Sequence, residues 1–279
     1  MIDYLIVDEI IKNAFKEDMP FGDCTTEATI PANANGSAEL ICKDTGILCG
    51  INIFERVFTL LGNVTFSTTF KDGYSIEPKQ IIGIVSGNVR NILMGERVAL
   101  NILQRMSGIA TNTRLYVDKL EGLNTKLLDT RKTTPGLRVL EKYAVTIGGA
   151  TNHRHCLSDG ILIKDNHISL VGGIKKAVTL ARQNSSFVRK IEVETETIED
   201  VKEALEAKAD IIMLDNMCPS MVKEMVELIG NAAITECSGN VSLETIRAYG
   251  ETGANFVSCG SIIYNSRPLD FSLKNLTLN

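Results

Sequence analysis

No stretch of eighteen apolar residues occurs in the 279-residue sequence, so no membrane-crossing helix is expected. The start of the chain, Met1 to Lys16, lacks a basic opening and an apolar core followed by small residues. No signal peptide is expected either. Its apolar positions, Leu5, Ile6, Ile10, Ile11, Ala14 and Phe15, fall at helical spacing and predict an amphipathic helix. The seven cysteines include no Cys-x-x-Cys pair, and their number is odd. Both facts argue against a disulfide framework or a Cys-rich zinc site and for small buried residues in a reducing cytoplasm. Positive charge is not in excess. A formal net charge of -5 argues against general nucleic-acid binding but leaves room for a local basic pocket. Hydrophobic residues make up 44% and charged residues 23%, which suits a globular chain with one large core or two modest ones.

Two textures meet near Gly108. Before it, short apolar runs alternate with Gly, Asn and Pro. Ser37 to Cys42, Thr65 to Phe70 and Ile81 to Val85 read as strands of an antiparallel sheet. Gly46 to Leu61 begins as a turn and continues as a helix, and a second helix runs from about Val89 to Met106. After Gly108 a regular beat sets in. The strand candidates are Thr125 to Asp129, Gly160 to Lys164, Arg189 to Glu194, Ile211 to Asp215, Ala232 to Glu236 and Phe256 to Cys259. Several are near-continuous apolar runs, as parallel strands buried on both faces require. Helical stripes lie between them: Ile174, Ala177, Val178 and Ala181, then Val222, Met225, Val226 and Ile229. Thr197 with Asp200 reads as a capping box, and Pro219 sits where a first helical turn tolerates proline.

Glu194, Asp215 and Glu236 each read as the end of a strand, spaced 21 residues apart. Equal βα units fit a barrel or a doubly wound sheet. The charges favour the barrel, because Asp129, Lys164, Glu194, Asp215 and Glu236 then meet at one mouth. On any single strand, such a charge would simply face water.

All three histidines, His153, His155 and His167, fall within fifteen residues, among Arg131, Lys132, Arg138, Lys142, Arg154 and Lys164. A basic pocket in an acidic protein implies a small anionic ligand. In Asp129-Thr130-Arg131-Lys132-Thr133-Thr134-Pro135-Gly136, Arg offers a planar fork for carboxylate and Lys a point charge for phosphate. Adjacent basic residues are also common in plain solvated loops. His153-Arg154-His155 admits a zinc-hydrolase reading, with Asp165 or His167 completing the ligands. Arg154 and Lys164 would then repel the dication. His155 reads equally as a structural histidine. Ser238-Gly239-Asn240 and Cys259-Gly260-Ser261 follow the last two strands, where small residues free backbone N–H groups for a phosphate or merely make turns.

The motifs DTRKTTPGLRVLEKYAV, GGATNHR and LIKDNH resemble the quinolinate phosphoribosyltransferase family. The resemblance extends to Gly22-Asp23-Cys24-Thr25-Thr26, Glu96-Arg97, Ser107 to Thr111, Leu214-Asp215-Asn216 and Leu269 to Leu273. It implies an α/β protein: an N-terminal α/β sandwich over residues 1–107, to which a tail at 267–279 returns, and an open α/β barrel of the type II phosphoribosyltransferase kind over 108–266. It implies transfer of a phosphoribosyl group to quinolinate with decarboxylation, giving nicotinate mononucleotide, pyrophosphate and CO2. A related group linked to molybdenum uptake shares the fold, and is expected to lack part of the dicarboxylate-gripping set.

The implied quinolinate-binding residues are Arg97, Arg131, His153, Arg154 and Lys164, with Arg97 supplied by the partner of a homodimer. Lys132 is implied to contact phosphoribosyl pyrophosphate. Glu194 and Asp215 are implied around the ribose hydroxyls and Mg2+, and Ser238, Gly239 and Gly260 around the 5′-phosphate. Lys132, Glu194 and Asp215 are the implied catalytic residues. No organic cofactor, nucleic acid or membrane is expected, and a hexamer is the larger assembly to consider. Where the family commonly has a second glycine after the serine, this chain has Asn240, which tolerates a left-handed backbone. A non-catalytic anion-binding protein and a monocarboxylate-using transferase are the remaining alternatives.

Overall fold

A computed structural model describes residues 2–278. The first elements are α1 (Tyr4–Asp18), α2 (Cys24–Thr29), β1 (Asn35–Cys42), β2 (Gly46–Ile47), α3 (Ile51–Leu61), β3 (Val64–Ser67), β4 (Ser75–Ile76), β5 (Ile81–Asn88) and α4 (Val89–Lys119). An alternation follows: β6 (Lys126–Leu128), α5 (Arg138–Ile147), β7 (Ile161–Ile163), α6 (Asp165–Val171), α7 (Ile174–Asn184), β8 (Ile191–Thr195), α8 (Ile198–Glu206) and β9 (Ile211–Asp215). It continues through α9 (Pro219–Ile229), β10 (Ile234–Ser238), α10 (Ile246–Gly250), β11 (Phe256–Ser258) and α11 (Ser261–Tyr264), and β12 (Phe271–Leu278) closes the chain. No helix among the described residues is long and apolar enough to cross a membrane.

The chain divides into two compact units. One holds the chain through Arg114, Thr133–Gly149 and the chain from Ile263 onward; the other holds Leu115–Lys132 and Ala150–Ile262. These limits differ from the expected 1–107, 108–266 and 267–279. Packing within the first unit explains the difference. Tyr143 donates its hydroxyl to Asp72 at 2.8 Å, and Gly148 lies so close to Thr113 that a Cβ would collide with it. Both tie the 133–149 segment to the first unit.

The first unit carries an antiparallel sheet in the order β12-β1-β5-β3. α1 forms as its spacing predicts: Asp3 caps it by accepting the Leu5 N–H at 2.9 Å, and Val7 and Ile11 are buried. Phe54 of α3 packs edge-on against both Phe58 and Phe66, burying the apolar face of α3 over β3. β3 stops at Ser67 rather than Phe70, because the Thr68 hydroxyl donates to the Ile82 carbonyl and accepts the Phe70 N–H, turning the chain. The helix expected to end near Met106 runs on to Lys119. Gly108 is a contact point rather than a stop: a Cβ there would fall inside contact distance of the Arg267 carbonyl oxygen.

In the second unit six parallel strands run in the order β6-β11-β10-β9-β8-β7. β6 and β7 are the two edges, and the isolated bridge Leu128–Thr151 puts irregular chain against β6. This is the open barrel. Ile174, Ala177 and Val178 of α7 and Val222, Met225 and Ile229 of α9 are buried, as the stripes predict, while Ala181 and Val226 are half-buried. The Thr197–Asp200 capping box forms in both directions, and Pro219 opens α9. One expectation is corrected. Glu236 does not end its strand; it is the third residue of β10, which continues through buried Cys237 to Ser238. Glu194 likewise is followed by Thr195 within β8.

Candidate active site

Side chains of a strand alternate between faces, so Glu192 and Glu194 share one face of β8, Met213 and Asp215 one face of β9, and Glu236 and Ser238 one face of β10. Register aligns Glu194 with Met213 and Met213 with Glu236, and Asp215 with Ser238. This face lines a cavity of about 350 Å³. Around it stand Arg131 and Lys132 after β6, His153 and Arg154 on the chain before β7, Lys164 after β7, Glu194, Asp215 and Ser238. Eight of the expected residues are thus brought together. Thr130, Leu162, Met213, Glu236 and Ser258 complete the lining.

Three expected residues do not line this cavity. Gly239 and Gly260 follow β10 and β11 outside its lining. Gly239 adopts φ +90°, and its close approach to Asn216 leaves no room for a Cβ. Asn240 takes a left-handed φ of 54°, as anticipated, and donates from Nδ2 to Asn216 Oδ1 at 3.2 Å. Arg97 lies on α4 of the first unit, where with Arg105, Glu17 and Asp18 it lines a cavity of about 410 Å³.

The electrostatics of the strand-end cavity are those of an anion site with an acidic counterpart. Burial first, and then the neighbouring charge of Arg131, holds Arg154 below the usual guanidinium range. Arg154 donates from Nη1 to the Gly160 carbonyl at 2.9 Å, which fixes its direction. Lys164 is paired with Glu194. Asp215 accepts from Asn216 Nδ2 at 2.7 Å.

Beneath the basic residues lie Asp129 and Glu236, two of the charges expected at the mouth, and Glu192, which no motif singled out. Asp129 is fully buried; its Oδ1 accepts the His153 N–H at 2.8 Å and its Oδ2 accepts from Asn152 Nδ2 at 2.7 Å. His153 Nε2 stands 3.1 Å from Glu192 Oε2 and 3.5 Å from Glu236 Oε2. Burial first, and next the charge of Glu192, pushes the Glu236 carboxyl up to about 8, against the opposing pull of His153. Acids inside an otherwise apolar parallel strand are the signal that could have found Glu192.

The histidines do not assemble as a zinc-ligand set. His167 Nδ1 accepts the Lys164 N–H at 2.9 Å and caps α6, and the His155 N–H donates to Asp159 at 2.7 Å. Among the described residues, the one group with metal-ligand spacing is His153 with Glu192 and Glu236.

The family model for the quinolinate phosphoribosyl transferase N-terminal domain matches residues 23–107, and that for the C-terminal domain matches 109–274. A probable nicotinate-nucleotide pyrophosphorylase (carboxylating) of Bacillus subtilis is 42% identical over 273 residues, covering 98% of this chain and 94% of its own. One from Synechocystis is 40% identical over 275 residues, covering 97% and 93%. The crystal structure of NadC from Streptococcus pyogenes superposes with a TM-score of 0.96 at 42% identity, covering 100% of this chain and 99% of that one.

Proposed function

The chain belongs to the quinolinate phosphoribosyltransferase family, and we propose that the strand-end cavity of its second unit is where the family's reaction takes place. The activity is that of a decarboxylating quinolinate phosphoribosyltransferase, a pentosyl transfer in NAD biosynthesis. One observation supports this reading. Arg131 and Arg154 line one cavity and their charges repel, and Lys132, Lys164, Glu194 and Asp215 share the same lining. A dicarboxylate offsets that repulsion, and the acids face the sugar end of the second substrate.

Arg131 and Arg154 grip the two carboxylates of quinolinate, with Lys164 as a further donor and His153 forming part of the same wall. The partner subunit's Arg97 completes the wall, so the working unit is a homodimer. Lys132 faces the pyrophosphate, and Ser238 with the backbone of Gly239 and Gly260 faces the 5′-phosphate. The pyridine nitrogen attacks the anomeric carbon as pyrophosphate departs with the bonding pair, and Glu194 and Asp215 stabilise the positive charge on the sugar. The C–C bond to the adjacent carboxylate then breaks; CO2 leaves, the electron pair is held by the cationic ring, and a proton replaces it.

Glu194 and Asp215 present carboxylate oxygens to the cavity, the donor type that magnesium takes alongside phosphates and water. They would hold Mg2+, whose charge neutralises the leaving pyrophosphate. The alkylated ring is its own electron sink, so no organic cofactor is called for.

The test is CO2 release from carboxyl-labelled quinolinate with phosphoribosyl pyrophosphate and Mg2+, run beside nicotinate as the alternative acceptor. Release of CO2 with formation of nicotinate mononucleotide is expected. Turnover of nicotinate alone would overturn the dicarboxylate reading.

A further inference from the structure

Both ring nitrogens of His153 are engaged by the protein. Nδ1 accepts the backbone N–H of Arg154 at 2.7 Å. The ring proton is therefore on Nε2, which faces Glu192 Oε2 at 3.1 Å and Glu236 Oε2 at 3.5 Å. The two acids come from different strands, β8 and β10, with β9 between them. Both are almost wholly buried, at 4% and 2% exposure, and each keeps a second carboxylate oxygen buried with no hydrogen-bond partner.

That arrangement is poor for stability. Burial and the charge of Glu192 keep Glu236 protonated up to about pH 8, and both groups carry a desolvation cost that apolar side chains of similar size would avoid. What they accomplish is local. They hold the imidazole from below, and the imidazole holds the peptide N–H of the next residue, Arg154, whose guanidinium lines the substrate cavity. Asp129 secures the same segment from its other side through the His153 N–H and the Asn152 amide.

We infer that Glu192 and Glu236 are positioning residues, acting through the His153 imidazole to set Arg154 for the substrate's carboxylates. The inference rests on the reading of this cavity as the quinolinate site. Glu236 lines the cavity floor and Glu192 does not, and the role assigned to both lies in their contact with the imidazole. They work as outer partners that fix the orientation of a ligand-binding side chain.

The test is a double-mutant cycle. Glu192→Gln and Glu236→Gln are each made alone and in a His153→Ala background. Each single variant is expected to raise KM for quinolinate about tenfold, the scale of losing an outer-sphere partner. KM for phosphoribosyl pyrophosphate should stay within about twofold, and the unfolding temperature should hold or rise, because a buried ionisable group has been replaced by a neutral amide of the same shape. Without His153 the same substitutions should change KM for quinolinate less than about twofold, since coupled residues are not additive. Full additivity, an equal rise in both KM values, or loss of activity that follows a lowered unfolding temperature would overturn the inference.

A second measurement does not depend on turnover. With only three histidines in the chain, the ring 15N resonances are assignable. The wild-type His153 should show an Nε2–H tautomer, and its Nε2 signal should move in both single variants. Unmoved signals in both would overturn the positioning role. If the wild type releases no CO2 from quinolinate, the functional reading fails by itself, and the resonances still decide what holds His153.

Discussion

Arg105 donates from Nε and Nη2 to one oxygen of Glu141, at 3.0 and 2.8 Å, while the other oxygen of Glu141 accepts the backbone N–H of Thr134 at 2.8 Å. Glu141 is fully buried, and Arg105 also reaches Ser266 and the Ile263 carbonyl. One carboxylate thus fastens α4, α5 and the Thr133–Gly136 turn within the first unit. Glu141→Ala removes one partner of a buried pair and is expected to lower unfolding free energy by roughly 3–5 kcal/mol. Urea unfolding checks this; a loss well under 1 kcal/mol would show that the network is not structural.

Arg131 lines the cavity beside Arg154. Arg131→Ala should lose about 2–5 kcal/mol of transition-state stabilisation, read as a fall in kcat/KM for quinolinate. Arg131→Lys should recover only part of it, because an ammonium does not replace a bidentate fork. Unchanged steady-state turnover in Arg131→Ala would remove that residue from the site.

Arg97 belongs to the first unit and Arg131 to the second. If each site takes Arg97 from the partner subunit, Arg97→Ala and Arg131→Ala protomers are each inactive alone. Mixed and reassorted, half the dimers are hybrids with one intact site of two, so about a quarter of wild-type activity should return. No recovery after confirmed exchange would place both arginines in the same protomer's site.

The raised Glu236 carboxyl makes stability depend on pH. Its folded value of about 8 lies above the ordinary 4.5, so between those limits the folded state binds more protons than the unfolded state. Stability from this group is full below about pH 4.5 and is lost as pH rises through about 8. Glu236→Gln has no such proton. Its unfolding temperature relative to wild type should therefore climb from pH 5 to pH 8 and level off above. A difference that is flat across that range would deny the shift.

Much of this organisation is legible from residue order because the physics is local. Parallel strands buried on two faces show as apolar runs, and the Thr197 box and Pro219 mark helix starts wherever they stand. The grouping of Arg131, Lys132, Arg154 and Lys164 follows once strands share a mouth. β10 ends two residues past Glu236, because the strand carries that acid inward and goes on where the apolar run stops. Gly108 marks a change of sequence texture, yet it sits inside α4; the reason for a glycine there, the approach of Arg267, lies far along the chain. The bond from Arg154 to the His153 ring, and the two acids beneath it, depend on tertiary register and left no pattern to read.

The gap between β6 and β7 has a consequence for how ligands are addressed. A strand sends neighbouring side chains to opposite sides, so it offers one residue in two to a shared interior. Irregular chain has no such rule. At the gap, His153 and Arg154 both line the cavity, as do Thr130, Arg131 and Lys132 just past β6. A further strand closing the ring at His153 and Arg154 would have sent one of the two to its outer surface; leaving the ring unfinished lets both neighbours face the same cavity.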